Sequence, residues 1–430
     1  MTNTNKNLNV ITILAMMFLY AMIAFVTNLA APVGKIWENS FAGSPNASTL
    51  GMLGNMMNFL AYLCMGIPAG KMLQKAGYKK TALTAIVIGL AGVLVQYLSG
   101  VCSSFTVYLT GAFIGGFSVC MLNTVVNPLL NLLGGGGNKG NQLNMIGGTI
   151  NSLSASLTPM LVGALIGSSL AGKSIADVNI VLFIAMAVFV CVFLIIFFMP
   201  IAEPQRADGN THYEHSPWSF RHFVLGTIAI FVYVGVEVGI PATLISYLSN
   251  TQYGLGISFE TAGFVAGLYW LLMLVGRFVG SAIGGKVSSR TMVISVSVAA
   301  IILLCCAVFT GNAAEVMMPV NWQFAMQPLP IAALLLILCG LCTSVMWGSI
   351  FNLSVEGLGK YTAAASGIFM MMVVGGGIVP LAQTAVADAF AAEGGKGYLL
   401  SYFIIAACIA YILYYGIAGC KNVNKDIPTE

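Results

Sequence analysis

Charge is what this chain has least of. Only 7% of its 430 residues are Asp, Glu, Lys or Arg, whereas a water-soluble domain carries roughly 25%. With 58% hydrophobic residues, there is too little polar surface to clothe a soluble core of this size. Disorder, collagen and coiled coil each need a different composition and are excluded with it. Short segments of alternating polarity are missing, which excludes a transmembrane β-barrel. Histidine is nearly absent, at three residues. Ten cysteines are present, but no loop framework is, because most of them lie inside apolar runs. Cys339 and Cys342 form a CxxC in such a run without a His or acid beside it, so no metal or cofactor is read there. No nucleophile–base pair and no basic groove is found, which argues against an enzyme and against nucleic-acid binding. What remains is a polytopic protein of membrane-spanning helices.

Twelve continuous apolar runs are present, each long enough to cross a bilayer. They cover 10–34, 49–73, 81–101, 106–133, 142–170, 179–201, 223–249, 259–285, 291–311, 331–357, 362–390 and 398–419. The first follows only nine residues, lacks a cleavage site after it and is read as retained. Basic residues fix the orientation. With the N-terminus in the cytoplasm, thirteen lysines and arginines fall on that side, against Lys35, Lys173 and Lys396 on the other. The positive-inside rule then puts both termini in the cytoplasm.

The longest polar stretch, 202–222, divides the chain into 1–201 and 223–430, with six runs each. His212, Glu214 and His215 lie in it as a conceivable metal cluster, but a solvated linker is the plainer reading. The halves repeat weakly. Gly70-Lys71 corresponds to Gly285-Lys286, Asn127 with Gly134 to Asn352 with Gly359, and Pro159 to Pro380. Parallel repeats of this kind build transporters that rock about a site near the bilayer midplane.

Polar groups inside apolar runs mark packing or a pathway. Glu237 lies near the middle of the seventh run, and Arg277 lies in the eighth, a few residues to the cytoplasmic side. As a pair they are either a coupling site or a fixed structural ion pair. Asn28, Asn123, Asn127, Asn151 and Asn352 place amides in four runs, the first, fourth, fifth and tenth. An amide offers donors and acceptors together, which suits a polyhydroxylated, uncharged ligand. Each one singly also fits an inter-helix hydrogen bond. Trp347 lies close to Asn352 and offers an aromatic face. The loop after the second run carries Gly70, Lys71, Lys75, Gly77 and Lys79. These are read as gate contacts between halves or as simple orientation by charge.

Several stretches resemble the fucose–proton symporter family of the major facilitator superfamily. They are Ile67-Pro-Ala-Gly-Lys71 through Lys80, Asn123-Thr-Val-Val-Asn127-Pro128, Gly276-Arg-Phe-Val-Gly280, Ile350-Phe-Asn-Leu and Gly375-Gly-Gly-Ile-Val-Pro380. The resemblance runs from the first apolar run to the last. It implies an all-α polytopic membrane protein of twelve transmembrane helices in two six-helix halves, the major facilitator fold. It also implies import of a neutral hexose or deoxyhexose driven by an ion gradient, across a bacterial inner membrane. Asn28 and Asn123 stand where family members carry acids, Gly148 stands where a glutamine is expected, and Gln74 replaces a loop acid. An amide cannot titrate; Glu237 matches a glutamate of the glucose- and galactose-type members, so the resemblance implies Glu237 with Arg277 as the coupling element, for a proton or for sodium. A sugar uniporter and a non-sugar carrier or sensor of the same fold remain open. The expected partners are the sugar and the lipid bilayer, with the chain as a monomer, no cofactor and no metal.

Overall fold

The computed structural model describes residues 3–41, 43–44, 46–133, 137–166, 175–201, 215–283, 287–358, 361–391, 393–424 and 427. Twelve helical spans among them are long and apolar enough to cross a membrane. Six form the first half: α1 (Asn3–Ser40), α2 (Ala47–Ala76), α3 (Tyr78–Val101), α4 (Phe105–Leu133), α5 (Gly137–Ile166) and α6 (Asn179–Phe198). The second half opens with α7 (Arg221–Ser249), α8 (Phe259–Ile283) and α9 (Ser289–Thr310). Its tenth span is broken into α10 (Ile331–Thr343) and α11 (Met346–Val355), and its eleventh into α12 (Thr362–Met371) and α13 (Gly375–Ala389). The last is α14 (Lys396–Tyr414), which runs on as one π turn, Tyr415–Gly419.

The boundaries agree with the apolar runs to within a few residues, except at α1, which begins at Asn3 and extends to Ser40. Its added C-terminal turn carries Lys35 and Glu38, which pair with each other while buried. The eleventh span breaks at a 3₁₀ turn, Met372–Val374, immediately before Gly375-Gly376-Gly377. Gly375 packs against the backbone of Phe231 in α7, where a Cβ has no room. Absence of side chains there lets the two helices touch.

Two features were not read from the sequence. Between α9 and α10 the chain forms an antiparallel hairpin of β1 (Glu315–Pro319) and β2 (Met326–Pro330). His222, assigned to the solvated linker, is instead in the first turn of α7 and fully buried. Phe220, Phe223, Leu358 and Tyr361 form a small apolar cluster there, and His222 Nε2 lies 2.9 Å from the Glu356 carbonyl. Linker residues 202–214, with His212 and Glu214, are outside the described residues, as are Gly134 and Gly359.

An even number of crossings leaves both chain ends at one end of the bundle, the terminal end. The other is the distal end. The halves meet along two lines, α5 against α8 and α2 against α13. Gly263 and Gly267 of α8 sit on the carbonyls of Pro159 and Ser156 in α5, too close to admit a Cβ without movement. At the distal end polar contacts join the halves. Asn250 donates to Glu38 at 3.2 Å, and the Ser48 and Tyr398 hydroxyls lie 2.8 Å apart. The backbone N–H and hydroxyl of Thr49 both donate to Asp388, at 2.8 and 2.7 Å. These contacts hold the two halves together at the distal end.

Candidate functional site

Glu237 sits near the middle of α7, and Arg277 comes from the terminal-side half of α8. Their separation is 3.2 Å, with side chains only 14% and 17% exposed. The expected pair is formed. Arg277 does more than pair: its other terminal nitrogen donates to the Gly148 carbonyl and to the Ser152 hydroxyl, each at 2.7 Å. Both acceptors belong to α5, so one guanidinium joins the two halves. Only a long, forked donor reaches three acceptors on two helices. Gly148 lies directly beside that guanidinium: a Cβ there would touch Arg277 Nη1 at 3.5 Å, an ordinary packing distance. The glycine found where a glutamine was expected thus faces the arginine directly.

Three of the asparagines gather around two tyrosines, Tyr20 and Tyr62. Tyr20, in α1, donates its hydroxyl to Asn127 Oδ1, and its backbone carbonyl accepts from Asn151 at 3.1 Å. Asn127 in turn donates to the Asn123 carbonyl at 2.9 Å. Asn123 donates to the Tyr62 hydroxyl of α2, also at 2.9 Å. Spacing by four puts Asn123 and Asn127 on one face of α4, and each remains partly accessible. The result is a belt of amides and phenols spanning α1, α2, α4 and α5. Ser154 extends it by donating to the Ala21 carbonyl at 2.7 Å.

Asn28 is partly exposed and donates to the Ala24 carbonyl of its own helix at 2.9 Å. It stands two turns from Tyr20 and outside the belt. Asn352 is exposed in the last turns of α11. Among the described residues no hydrogen bond joins it to the other amides. Trp347 lies across the bundle, its ring 6.1 Å from Tyr233 and 5.8 Å from Phe369. Tyr233 is one helical turn before Glu237 on α7, so this aromatic group adjoins the ion pair.

Among the described residues no hydrogen bond or ion pair joins Lys71 or Lys75 to the other half. Gly77 ends α2 at φ 84°, a conformation glycine adopts without strain. Lys71 and Lys75 are exposed, and no atom lies within contact of a Cβ placed on Gly70. Lys79 donates to the Met199 carbonyl at 2.8 Å, within its own half.

Tyr20, Tyr62 and Ser152 are the site residues that sequence reading undervalued. Tyr20 and Ser152 have ordinary neighbours, and their signal lies only in what they face across helices. For metals the arrangement offers little: among the described residues no group of three or more His, Cys, Asp or Glu side chains is assembled.

The chain is 28% identical over 429 residues to a glucose/galactose transporter of Brucella abortus, covering 98% of this chain and 97% of that protein. It is 28% identical to a putative glucose/galactose transporter of Helicobacter pylori, over 86% of this chain and 87% of that one. Identity to the L-fucose-proton symporter of Escherichia coli is 24%, over 77% of each. The solved structure of the Escherichia coli fucose:proton symporter superposes with a TM-score of 0.68 at 21% identity, covering 95% of this chain and 98% of that one. That likeness shows the shared fold. A model of the Major Facilitator Superfamily matches residues 13–380, and the chain belongs to that superfamily.

Proposed function

We propose that this protein imports a neutral monosaccharide, a hexose or deoxyhexose, by alternating access coupled to a proton gradient. The observation that carries the reading is the Arg277 link from Glu237 in α7 to Gly148 and Ser152 in α5. A carboxylate that shares an arginine with the opposite half gives protonation a direct hold on how the halves sit. Protonating Glu237 removes the charge that orients Arg277 and frees the guanidinium to leave α5. The belt of Tyr20, Tyr62, Asn123, Asn127 and Asn151 supplies uncharged donors and acceptors beside it. Relatives named for glucose, galactose and fucose support a sugar as the ligand.

In this reading residues 1–201 and 223–430 move as units about the linker 202–222, and the protein works as a monomer. Both termini face the cytoplasm of a bacterial inner membrane. The distal end is then the outside, and the closed distal contacts correspond to an inward-facing state. Lys71, Lys75 and Lys79 with Gly70 and Gly77 would meet the other half only in the opposite state. Asn28 and Trp347 would flank the ligand, and Asn352 would lie on its exit path.

A uniporter is the second reading. It is favoured by one observation, that Asn28 and Asn123 are amides and cannot titrate. In that case Glu237 and Arg277 are a fixed pair. The test is uptake of radiolabelled glucose, galactose and fucose into proteoliposomes, with and without an inward proton gradient. Accumulation above the outside level that a protonophore abolishes supports coupling. Equilibration that ignores the gradient supports the uniporter, unless a sodium gradient restores accumulation. No uptake of any of the three sugars overturns both readings.

A further inference from the structure

The β1–β2 hairpin has two unlike faces. On one, Met318, Val320 and Leu329 are buried in the main core. On the other, Met317 and Met326 are each 54% exposed, and at the tip Trp322 is 51% and Phe324 72% exposed. Glu315, at the base of β1, is the hairpin's one charged residue; residues 316–330, including the tip, contain none. A water-facing hairpin of that length normally carries charge, especially on its edges. Large apolar side chains gathered at one place mark a surface that meets something other than water.

The tip is built rigidly. Asn321 Oδ1 accepts from the backbone N–H groups of Gln323 and Ala325, both at 3.0 Å. Phe324 takes φ 55°, a conformation uncommon for an aromatic residue. This turn aims both aromatic rings from fixed backbone.

The depth of the tip is given by its neighbour. The Trp322 ring stands 5.7 Å from that of Phe264, edge to face. Phe264 is five residues into α8, roughly 7–8 Å along the helix from its distal start. The tip therefore lies alongside the first turns of a membrane span instead of projecting beyond it. On α9, which leads into the hairpin, Val298, Ile302 and Phe309 are exposed apolar residues on a membrane-length helix.

We propose that the β1–β2 hairpin is a lipid-interface anchor, seating Trp322, Phe324 and Met326 in the headgroup region of the leaflet at the distal end. Aromatic residues favour that zone because an apolar ring with a polar edge fits between hydrocarbon and water. Anchored there, the hairpin holds the α9–α10 connection against the bilayer while the halves move.

The test is tryptophan fluorescence of the full chain in phosphatidylcholine liposomes. The chain has five tryptophans, so the difference between wild type and Trp322→Phe isolates one of them. Bromine placed near the headgroup is expected to remove most of that difference signal, and bromine near the chain ends to remove less. Aqueous iodide is expected to leave most of it. Phe324→Ser should shift the Trp322 component toward iodide access. Quenching by iodide with none by either brominated lipid would place the hairpin in water and overturn the proposal. Protection from both quenchers would mean that a second protein copy covers it, which overturns the proposal equally.

Discussion

Arg277 donates to the Ser152 hydroxyl at 2.7 Å, and so ties the C-terminal half to the N-terminal half at the level of Glu237. The same guanidinium neutralises that carboxylate. Charge state and helix contact are thereby joined in one side chain.

Replacing Glu237 with Gln should separate coupling from binding. The amide keeps the size and a hydrogen-bond acceptor for Arg277 but cannot exchange a proton. Sugar exchange between equal concentrations inside and out is expected to continue. Accumulation driven by an acid exterior is expected to vanish. Retained accumulation in proteoliposomes would remove Glu237 from the coupling step.

Arg277→Lys should be costly although the charge is kept. A lysine ammonium cannot span Gly148, Ser152 and Glu237 together. Hydrogen bonds to charged groups contribute about 1.5–3 kcal/mol each. Loss of one shifts the balance between this state and the opposite one by about ten- to a hundredfold, and net transport slows as the two states fall out of balance. Ser152→Ala removes one contact and should fall at the lower end. Initial rates of counterflow compare the two, and equal rates in both variants and wild type would count against the link.

Asp388→Asn should loosen the distal closure. Asp388 caps α2 from the opposite half, since the helix's own N-cap residue, Asn46, makes no side-chain cap. Loss of a cap typically costs about 0.5–2 kcal/mol. Labelling of Asn250→Cys by a maleimide that cannot cross the membrane should rise several-fold in the Asp388→Asn background. Unchanged labelling would mean that Glu38 and Tyr398 hold the closure without it.

Tyr20→Phe should weaken sugar binding without unfolding the protein. The phenol oxygen fixes which way the Asn127 amide faces. Without it the amide is free to turn, and KM is expected to rise several-fold while kcat changes little. Melting temperature in detergent should stay close to wild type. A large drop in melting temperature with unchanged KM would make the contact purely structural.

The spans were legible because apolar runs of membrane length carry a strong, local signal. Glu237 and Arg277 were legible for the complementary reason, since ions inside such runs are rare and need partners. Asn123, Asn127 and Asn151 were found as a set of buried-type amides, and the fold does bring those three together. Asn352 was read by the same rule and stays apart, because residue type says nothing about which face of α11 it occupies. His222 was misread because a histidine beside a polar stretch looks solvated until Phe220 and Tyr361 close over it. The hairpin was missed because Pro319, Pro328 and Pro330 interrupt every strand pattern in its sequence.

By itself the sequence determined that the chain spans a membrane about twelve times, and where its few ions and amides fall along each helix. Those are properties of composition and period, which need no partner. Tertiary structure alone decided that Arg277 reaches across to Gly148 and Ser152, that Tyr20 orients Asn127, and that Asp388 caps the helix of the other half. Each of these joins residues more than a hundred positions apart, and only the packing angle between helices brings such groups within hydrogen-bonding distance.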